Sequence, residues 1–301
     1  MARQQTIRRE VACTGIGLHS GRKVRLRLVP AAPDTGIIFR RVDLSLEVPA
    51  TRENLHPISY ATAVSRDGAS VSTVEHLLSA CYALGVDNIV VELDAPELPI
   101  MDGSAAPFVY LLHEAGLKRQ SAPRRYLRVT KPLRLTRDDK TIAVFPADRL
   151  KMSYTIKFPH PLIQYQSASF NITPASYATE IAPARTFCFL RDVEPLRRRG
   201  LTLGGSLDNA VVLDEVSVLN DKLRFDDEFV RHKVLDAIGD LALLGIPLRG
   251  HLVAYKGGHA LHSELVGKLL ASPDHWVIET DEADEILSGV PALAPELPAS
   301  F

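Results

Sequence analysis

A histidine and two aspartates recur at four-residue intervals in one apolar-rich stretch of the sequence. His232, Asp236 and Asp240 have the spacing that places side chains in one stripe along a helix. A His-x-x-x-Asp pair one helical turn apart can hold a single metal ion. The apolar face of the same helix is centred nearly opposite this stripe, so a solvated polar face is the alternative interpretation. Leu243 and Leu244 fall on or beside the polar side, which favours burial of this end of the helix.

A glutamate followed directly by a histidine, Glu75 and His76, forms a second candidate site. A metal hydrolase needs one group that holds the ion and another that receives a proton from the attacking water. The alternative for Glu75 is a capping box with Ser72, in which the carboxylate reaches back to the N–H of the cap residue. The alternative for His76 is a surface histidine or a hydrogen-bonded core histidine. The pair becomes informative only together with the helix that carries His232.

A third histidine, His259, follows Gly257 and Gly258 at a junction that reads as strand, turn and helix start. A histidine there can face a cleft and donate a proton, and an ordinary loop histidine is the alternative. Thr186 lies in an apolar-flanked segment that reads as a strand, and its hydroxyl could donate a hydrogen bond. His19 lies in a glycine-rich loop that does not fit the phosphate-binding spacing and reads as a turn.

Both strands and helices are needed to position these residues. The polar and apolar alternation in 23–29 predicts a strand with one buried face, whereas the apolar spacing in 72–84 predicts a helix. Further strands are predicted at 88–93 and within 126–158, and further helices at 105–115, 227–244 and 260–271. The stretch 118–125 is polar, contains a proline and lacks periodicity, which predicts a linker.

The order of strands followed by a helix pair recurs on both sides of that linker. This order indicates an α+β fold of packed layers rather than a doubly wound sheet. A chain of 301 residues is also long enough for its core to divide in two. We expect a first α+β domain at 1–120, a second at 126–275, and a poorly ordered acidic and proline-rich tail at 276–301.

The overall composition excludes several classes of protein. The 35 Lys and Arg residues and 36 Asp and Glu residues give a formal charge of −1, which argues against binding nucleic acid or an anionic membrane through a strong basic field. Three distant cysteines without a C-x-x-C pair can form neither a disulfide framework nor a thiolate zinc cluster. The sequence shows neither a signal peptide nor a run of roughly 18 apolar residues, so we expect a cytoplasmic protein without a membrane span.

Taken in order, seven segments resemble the UDP-3-O-acyl-N-acetylglucosamine deacetylases of Gram-negative bacteria, which commit the pathway to lipid A. The segments are TGIGLHSG at 14–21, STVEHLLS at 72–79, MDGSA at 101–105, ARTF at 184–187, LGGS at 203–206, FVRHKVLDAIGD at 229–240 and YKGGHA at 255–260. The resemblance covers roughly residues 4–275. It implies two similar domains, each a layered sandwich of a β-sheet and a helix pair, with the active site between them.

The resemblance also implies the roles of the candidate residues. One Zn²⁺ ion would be held by His76, His232 and Asp236, with a fourth position left for water. Glu75 would be the general base, and His259 a cationic general acid that protonates the departing amine. Thr186 would stabilise the oxyanion together with the zinc, and Asp240 would orient and charge His259.

The implied substrate is a UDP-linked acylated glucosamine, acted on by a monomer. Lys233 and His19 would lie near the diphosphate and sugar, with Lys140, Lys256 and Asp192 as weaker candidates for nucleotide or glucosamine contacts. A small strand-rich insert at 167–186 would receive the acyl chain. Two alternatives remain open: a zinc hydrolase of the same fold that acts on another amide or ester, and a non-catalytic UDP-sugar binding protein.

Overall fold

The computed structural model of the protein describes residues 2–280. In chain order its strands are β1 (Arg3–Ile7), β2 (Val11–Ile16), β3 (Lys23–Pro30), β4 (Ile37–Arg41), β5 (Leu46–Pro49), β6 (Leu55–His56), β7 (Ala63–Arg66), β8 (Ala69–Ser72), β9 (Ile89–Leu93), β10 (Leu117–Pro123), β11 (Arg125–Val129), β12 (Leu133–Arg137), β13 (Lys140–Phe145), β14 (Lys151–Lys157), β15 (Tyr165–Asn171), β16 (Phe187–Phe189), β17 (Val211–Leu213), β18 (Leu248–Arg249), β19 (His251–Tyr255) and β20 (Trp276–Thr280).

The helices are α1 (Glu75–Leu84), α2 (Ala106–Ala115), α3 (Pro174–Ser176), α4 (Leu190–Arg198), α5 (Glu228–Leu241) and α6 (His259–Leu270). A turn of 3-10 helix, Ala242–Leu244, continues α5, and a π-helical turn, Tyr177–Ile181, follows α3. The helices predicted at 72–84, 105–115, 227–244 and 260–271 are confirmed as α1, α2, α5 with its 3-10 turn, and α6. Within the described residues, no helix has the length and apolar character needed to cross a membrane.

Two five-stranded sheets with the same topology form the framework. The first has the order β2-β3-β9-β4-β5 and the second the order β12-β13-β19-β14-β15. In both, the central strand is parallel to one neighbour, β4 or β14, and every other pair is antiparallel. The prediction of two similar α+β halves is therefore confirmed at the level of strand order and direction.

Helices pack against both sheets, and in the first half α2 packs on β2. In the second half, α5 packs on β14 and β15, and α6 packs on β12 and β13. The two halves meet where α1 of the first packs along α5 of the second. Strand β3 shows why one face of each sheet must be covered, because Val24, Leu26 and Leu28 are buried while the alternate side chains are exposed.

The predicted linker at 118–125 is wrong, because most of it forms strand β10. This strand pairs antiparallel with β1, with Gln5 opposite Arg119 and Thr6 opposite Lys118. The two-stranded ribbon leaves every β10 side chain exposed or half-buried, so the strand needs no apolar alternation. Its backbone hydrogen-bond partners lie in β1, far away in the sequence, so the side-chain pattern of 118–125 does not indicate them.

The predicted start of the tail at residue 276 is also wrong. Strand β20 lies between 276 and 280 and pairs antiparallel with β11. The indole N–H of Trp276 donates to the carbonyl of Leu269 at 2.8 Å, and Glu279 forms ion pairs with Arg128 and Arg249. Residues 281–301 lie outside the described residues. The division of the chain at 120 and 126 stays a prediction.

The small extra sheet of the second half lies later in the chain than the predicted insert at 167–186. Most of β15 falls in that range, and it is the edge strand of the large sheet; α3 and the π-helical turn follow it. The extra unit is the parallel pair β16 and β17, which α4 connects. Each of these strands has three residues, a length at which alternation cannot identify a strand.

Candidate active site

Helix α5 presents His232, Asp236 and Asp240 along one face, as their spacing predicts. All three side chains are buried, with relative exposures of 2%, 2% and 1%. The alternative of a solvated polar face is therefore wrong. Leu243 and Leu244, which continue the helix as its 3-10 turn, are buried as well, as their position on the polar side indicated.

His76 on α1 joins His232 and Asp236 in one group whose candidate ligand atoms all lie within 4.8 Å of one another. Oδ1 of Asp236 lies 3.3 Å from Nε2 of His232 and 3.9 Å from Nε2 of His76. Nδ1 of His232 lies 3.0 Å from the carbonyl oxygen of Ala184, so this nitrogen carries the proton and donates it. Burial lowers the pKa of His76 to about 3 and lowers that of His232, so both imidazoles are neutral.

These contacts fit a bound cation. With Nδ1 protonated, Nε2 of the neutral His232 holds a lone pair that faces the Asp236 carboxylate. Burial alone would raise the pKa of Asp236, but the positive charge of Lys233, whose Nζ lies 2.6 Å from Oδ2, keeps it well below its usual value, so the carboxylate is ionised. Two acceptors that face each other in a buried pocket repel, and a metal ion between them removes the repulsion. Two imidazoles and one carboxylate form a donor set that zinc accepts.

The close approach of α1 to α5 brings the two halves of the site together. At Gly239 the backbone of α5 touches the backbone of Glu75, and an added Cβ would overlap the carbonyl oxygen of Glu75. Gly239 lies in the turn between Asp236 and Asp240. Only a residue without a side chain therefore lets Glu75 and His76 stand beside those aspartates.

The carboxylate of Glu75 points into this site rather than back to its own helix. The backbone N–H of Thr62 donates to Oε2 of Glu75 at 3.0 Å, whereas the hydroxyl of Ser72 donates to the carbonyl of Pro96. The cap residue of α1, Val74, offers no side-chain hydrogen bond. The capping-box alternative is therefore wrong. Burial raises the pKa of Glu75 to about 7, which suits a group that accepts a proton near neutral pH.

His259, the first residue of α6, is bound to Asp240. Its Nδ1 donates to Oδ2 of Asp240 at 2.8 Å, and its Nε2 lies 4.0 Å from Oδ2 of Asp236. Burial alone would lower the pKa of His259, but Asp240 raises it to about 9. Burial alone would raise the pKa of Asp240, but His259 lowers it to about 2. The pair is therefore an imidazolium and a carboxylate at neutral pH.

A buried glutamate, Glu97, fixes the loop that carries His19. Its carboxylate accepts the backbone N–H groups of His19 and Ser20, each at 2.8 Å, and the hydroxyl of Thr73 at 3.0 Å. Thr73 has a left-handed φ of 55°, an uncommon conformation for a β-branched residue, just before α1. Both ring nitrogens of His19 are buried without a hydrogen-bond partner among the described residues. Such a ring favours a ligand, because an unpaired buried polar atom is costly.

Lys233 and Thr186 border the group of metal-ligand candidates. Nζ of Lys233 lies 2.6 Å from Oδ2 of Asp236, and although burial would lower the pKa of Lys233, Asp236 raises it. The N–H of Thr186 donates to the carbonyl of Gly103 at 2.8 Å. Because Ala184, two residues earlier, accepts from His232, half-buried Thr186 lies on the segment that borders this group.

The three weaker candidates lie outside this buried cluster. Lys140 begins β13 and Lys256 follows β19, and the pairing of these strands brings the two lysines together beside Asp139, with which Lys256 forms an ion pair. Lys256 also lines a cavity of about 650 Å³ together with Lys157, Phe158, His160 and Tyr165. Asp192 is exposed on α4, in the small extra unit.

Two residues of the site were not identified from the sequence. Thr62 donates its N–H to Glu75 and its hydroxyl to Oδ1 of Asp240 at 2.5 Å, and it lies in a loop without any motif. His262 lies three residues after His259 on α6 and binds the same aspartate at 2.7 Å. The spacing of the two histidines was a usable signal, because residues three apart share a helix face.

The site contains two imidazoles and a carboxylate, with a buried glutamate and a protonated histidine beside them. Metal-dependent hydrolases use sites of this kind. A comparison with known families gives the same class. The profile of the UDP-3-O-acyl N-acetylglycosamine deacetylases matches residues 4–271. The chain belongs to this family.

Individual relatives agree over almost the whole chain. A UDP-3-O-acyl-N-acetylglucosamine deacetylase from Anaeromyxobacter sp. (strain Fw109-5) is 51% identical over 295 residues, which cover 97% of this chain and 95% of its own length. A protein of the same name from Pseudomonas entomophila (strain L48) is 50% identical over 283 residues, or 92% of this chain and 93% of its own. Another from Myxococcus xanthus (strain DK1622) is 50% identical over 278 residues, or 91% and 88%.

Proposed function

We propose that this protein hydrolyses the N-acetyl group of UDP-3-O-(3-hydroxyacyl)-N-acetylglucosamine at a zinc centre, the committed step of lipid A biosynthesis. The products are acetate and the free amine. Deacetylation is the activity that names the family and its relatives. The observation that carries the proposal is the arrangement of Glu75 and His259, whose raised pKa values suit a base and an acid, beside one group of metal-ligand candidates.

The ligands of the proposed zinc ion are His76, His232 and Asp236. When bound, a zinc ion supplies Lewis acidity, which lowers the pKa of water and polarises a carbonyl oxygen. The hydrogen bond from His232 to Ala184 holds the ring so that Nε2 faces the other ligands. The group is also buried, so this bond fixes the ring in a site that is shielded from solvent.

Glu75 acts as the general base in this proposal. Its carboxylate takes a proton from the water that attacks the acetyl carbonyl carbon, and a pKa of about 7 makes it a competent acceptor near neutral pH. The N–H of Thr62 keeps one carboxylate oxygen in a fixed direction. Glu75 is the acidic residue of α1, so it is the carboxylate that this helix contributes.

His259 acts as the general acid. It donates the proton at Nε2 to the amide nitrogen as the C–N bond breaks, and the amine leaves. Asp240 holds Nδ1 of the ring and keeps the imidazolium protonated at the pH at which Glu75 is ionised. Two groups whose environments favour opposite protonation states give the acid and base of one reaction.

Thr186 stabilises the oxyanion that develops on the acetyl carbonyl. One well-placed donor of this kind is worth about 3 kcal/mol of barrier. The backbone bonds of Thr186 to Gly103 and Val211 fix the segment, so the hydroxyl needs little reorganisation to reach the charge.

The rest of the substrate extends away from the buried cluster. Lys233 would contact the diphosphate and sugar together with the ring of His19, whose nitrogens have no hydrogen-bond partner among residues 2–280, because a cation and an imidazole suit phosphate and hydroxyl groups. Lys140 and Lys256, beside the cavity lined by Phe158 and Tyr165, suit the nucleotide. Asp192 stays a weaker candidate for a glucosamine or ribose hydroxyl.

Two variants test the assignment of base and ligand. Glu75→Gln keeps the acceptor for the Thr62 N–H and is expected to retain one zinc per chain while losing roughly 100-fold or more in kcat. His232→Ala is expected to lose zinc. Glu114→Gln, an exposed glutamate on α2, is the matched control and should match wild type. A fully active Glu75→Gln would exclude Glu75 as the base.

A substrate comparison separates this function from its alternatives. We expect the acylated UDP-sugar to be turned over much faster than unacylated UDP-N-acetylglucosamine. Equal turnover would favour a less specific amide or ester hydrolase, and tight binding without any release of amine would favour a UDP-sugar binding protein. The monomeric state and the cytoplasmic location stay predictions, which sedimentation and cell fractionation would test.

A further inference from the structure

Asp240 binds a second histidine besides His259. Nδ1 of His262 lies 2.7 Å from Oδ2 of Asp240, and Nδ1 of His259 lies 2.8 Å from the same oxygen. The Thr62 hydroxyl donates to the other oxygen, Oδ1, at 2.5 Å. Three donors therefore surround one buried carboxylate. Of these donors, His259 also approaches the group of metal-ligand candidates, with its Nε2 4.0 Å from Oδ2 of Asp236.

The far side of His262 is also bound. Its Nε2 lies 2.8 Å from the hydroxyl of Tyr154, a residue of β14. His262 and Tyr154 have relative exposures of 1% and 0%. His262 therefore has a partner on each ring nitrogen, and a chain of hydrogen bonds runs from the second sheet through α6 to Asp240 and His259.

The contacts determine which nitrogen of His262 carries the proton. An ionised Asp240 can only accept hydrogen bonds, so Nδ1 of both histidines must carry hydrogen. Burial raises the pKa of Tyr154 well above its usual value, so its hydroxyl keeps its proton and can donate it to Nε2. The contact with Asp240 therefore places a hydrogen on Nδ1 of His262.

We infer that His262, with its ring held by Tyr154, is a positioning residue that keeps the Asp240 carboxylate aimed at His259. The terminal torsion of an aspartate is broad, so a single hydrogen bond would leave the carboxylate free to rotate. Thr62 binds Oδ1 and His262 binds Oδ2, so these two bonds fix the carboxylate independently of its bond to His259. The inference rests on the proposed role of His259 as the general acid.

Two amide variants separate the two bonds of His262. The amide nitrogen of asparagine occupies the place of Nδ1 in the side chain, so His262→Asn keeps a donor for Asp240 and loses the contact with Tyr154. The amide nitrogen of glutamine reaches the place of Nε2, so His262→Gln keeps a partner for Tyr154 and loses the donor for Asp240. The two variants are matched in polarity and differ in the bond that they retain.

Steady-state kinetics with the acylated UDP-sugar is the first measurement. We expect His262→Gln to lose roughly 10- to 100-fold in kcat with KM unchanged, because a misdirected general acid affects the chemical step. We expect His262→Asn to stay close to wild type in kcat. Both should bind one zinc per chain. Equal kcat values for the two variants, or an effect on KM alone, would overturn the inference.

A purely structural role gives a different result. If His262 only ties α6 to the rest of the fold, both variants lower the unfolding temperature while kcat per folded molecule stays at the wild-type value, and the inference fails.

If a variant does not fold, nitrogen NMR of the histidines in the wild-type holoenzyme tests the inference instead, because it shows which ring nitrogen of His262 carries hydrogen. We expect Nδ1 of His262 to carry a hydrogen. Hydrogen on Nε2 alone, or an unprotonated Nδ1 such as a metal ligand has, would overturn the inference. Because this readout needs no turnover, a wild-type protein without deacetylase activity would refute the proposed function separately.

Discussion

The contact of α5 with α1 at Gly239 gives a prediction whose magnitude follows from the structure. In Gly239→Ala the new Cβ would overlap the carbonyl oxygen of Glu75 and lie 2.8 Å from its carbonyl carbon and Cα. Carbon atoms pack without strain at about 3.5 Å or more, so the helices must separate by roughly 1 Å. Such overpacking costs about 1–3 kcal/mol, against a gain of about 1 kcal/mol from the higher helix propensity of alanine.

We therefore expect Gly239→Ala to be destabilised by up to about 2 kcal/mol and also to lose activity. A displacement of about 1 Å between Glu75 or His76 and Asp236 is expected to cost on the order of 100-fold in turnover. Zinc affinity should fall as well, because the ligands come from both helices. The measurements are kcat/KM, zinc per chain, and the free energy of unfolding in denaturant.

Gly267→Ala on α6 is the matched control. Gly267 is also a helical glycine, but the atom nearest to an added Cβ is Nε of Arg52 at 3.2 Å, at the end of a flexible side chain. We expect this variant to keep wild-type turnover and to gain up to about 1 kcal/mol of stability. A Gly239→Ala protein with wild-type zinc affinity and turnover would refute the argument that this backbone contact sets the geometry of the site.

Two further predictions concern pH and a buried ion pair. The value of kcat/KM is expected to fall below about pH 7, where Glu75 becomes protonated, and above about pH 9, where His259 loses its proton; a flat profile across both limits would contradict these roles. Arg185 donates from Nε and Nη2 to the fully buried Glu228 at 2.8 and 3.1 Å. Arg185→Met leaves the Glu228 charge unpaired and should lower the free energy of unfolding by about 3–5 kcal/mol, whereas adding Glu228→Leu should restore much of that loss. Additive losses for the two substitutions in a denaturant titration would argue against the pairing.

Local spacing in the sequence determined the elements and the faces that they present. The alternation at 23–29 gives β3, because neighbouring side chains of a strand point to opposite faces. The four-residue spacing of His232, Asp236 and Asp240 places them in one stripe on α5, because residues four apart lie on the same face of a helix. The motifs that contain Glu75, His76 and His259 resemble those of the deacetylase family, and the match to the family profile confirms that the chain belongs to it.

Only the tertiary structure decided which faces meet. Strand β1 pairs with β10, and β11 pairs with β20, so backbone hydrogen bonds join distant parts of the chain. Such bonds leave no pattern in the side chains. For this reason the prediction of a linker at 118–125 and of a poorly ordered tail at 276–280 is wrong. Thr62 and His262 reach Asp240 because a loop and a helix converge on α5. Spacing fixes the direction of a side chain within its own element, whereas its partner depends on packing between elements that are remote in sequence.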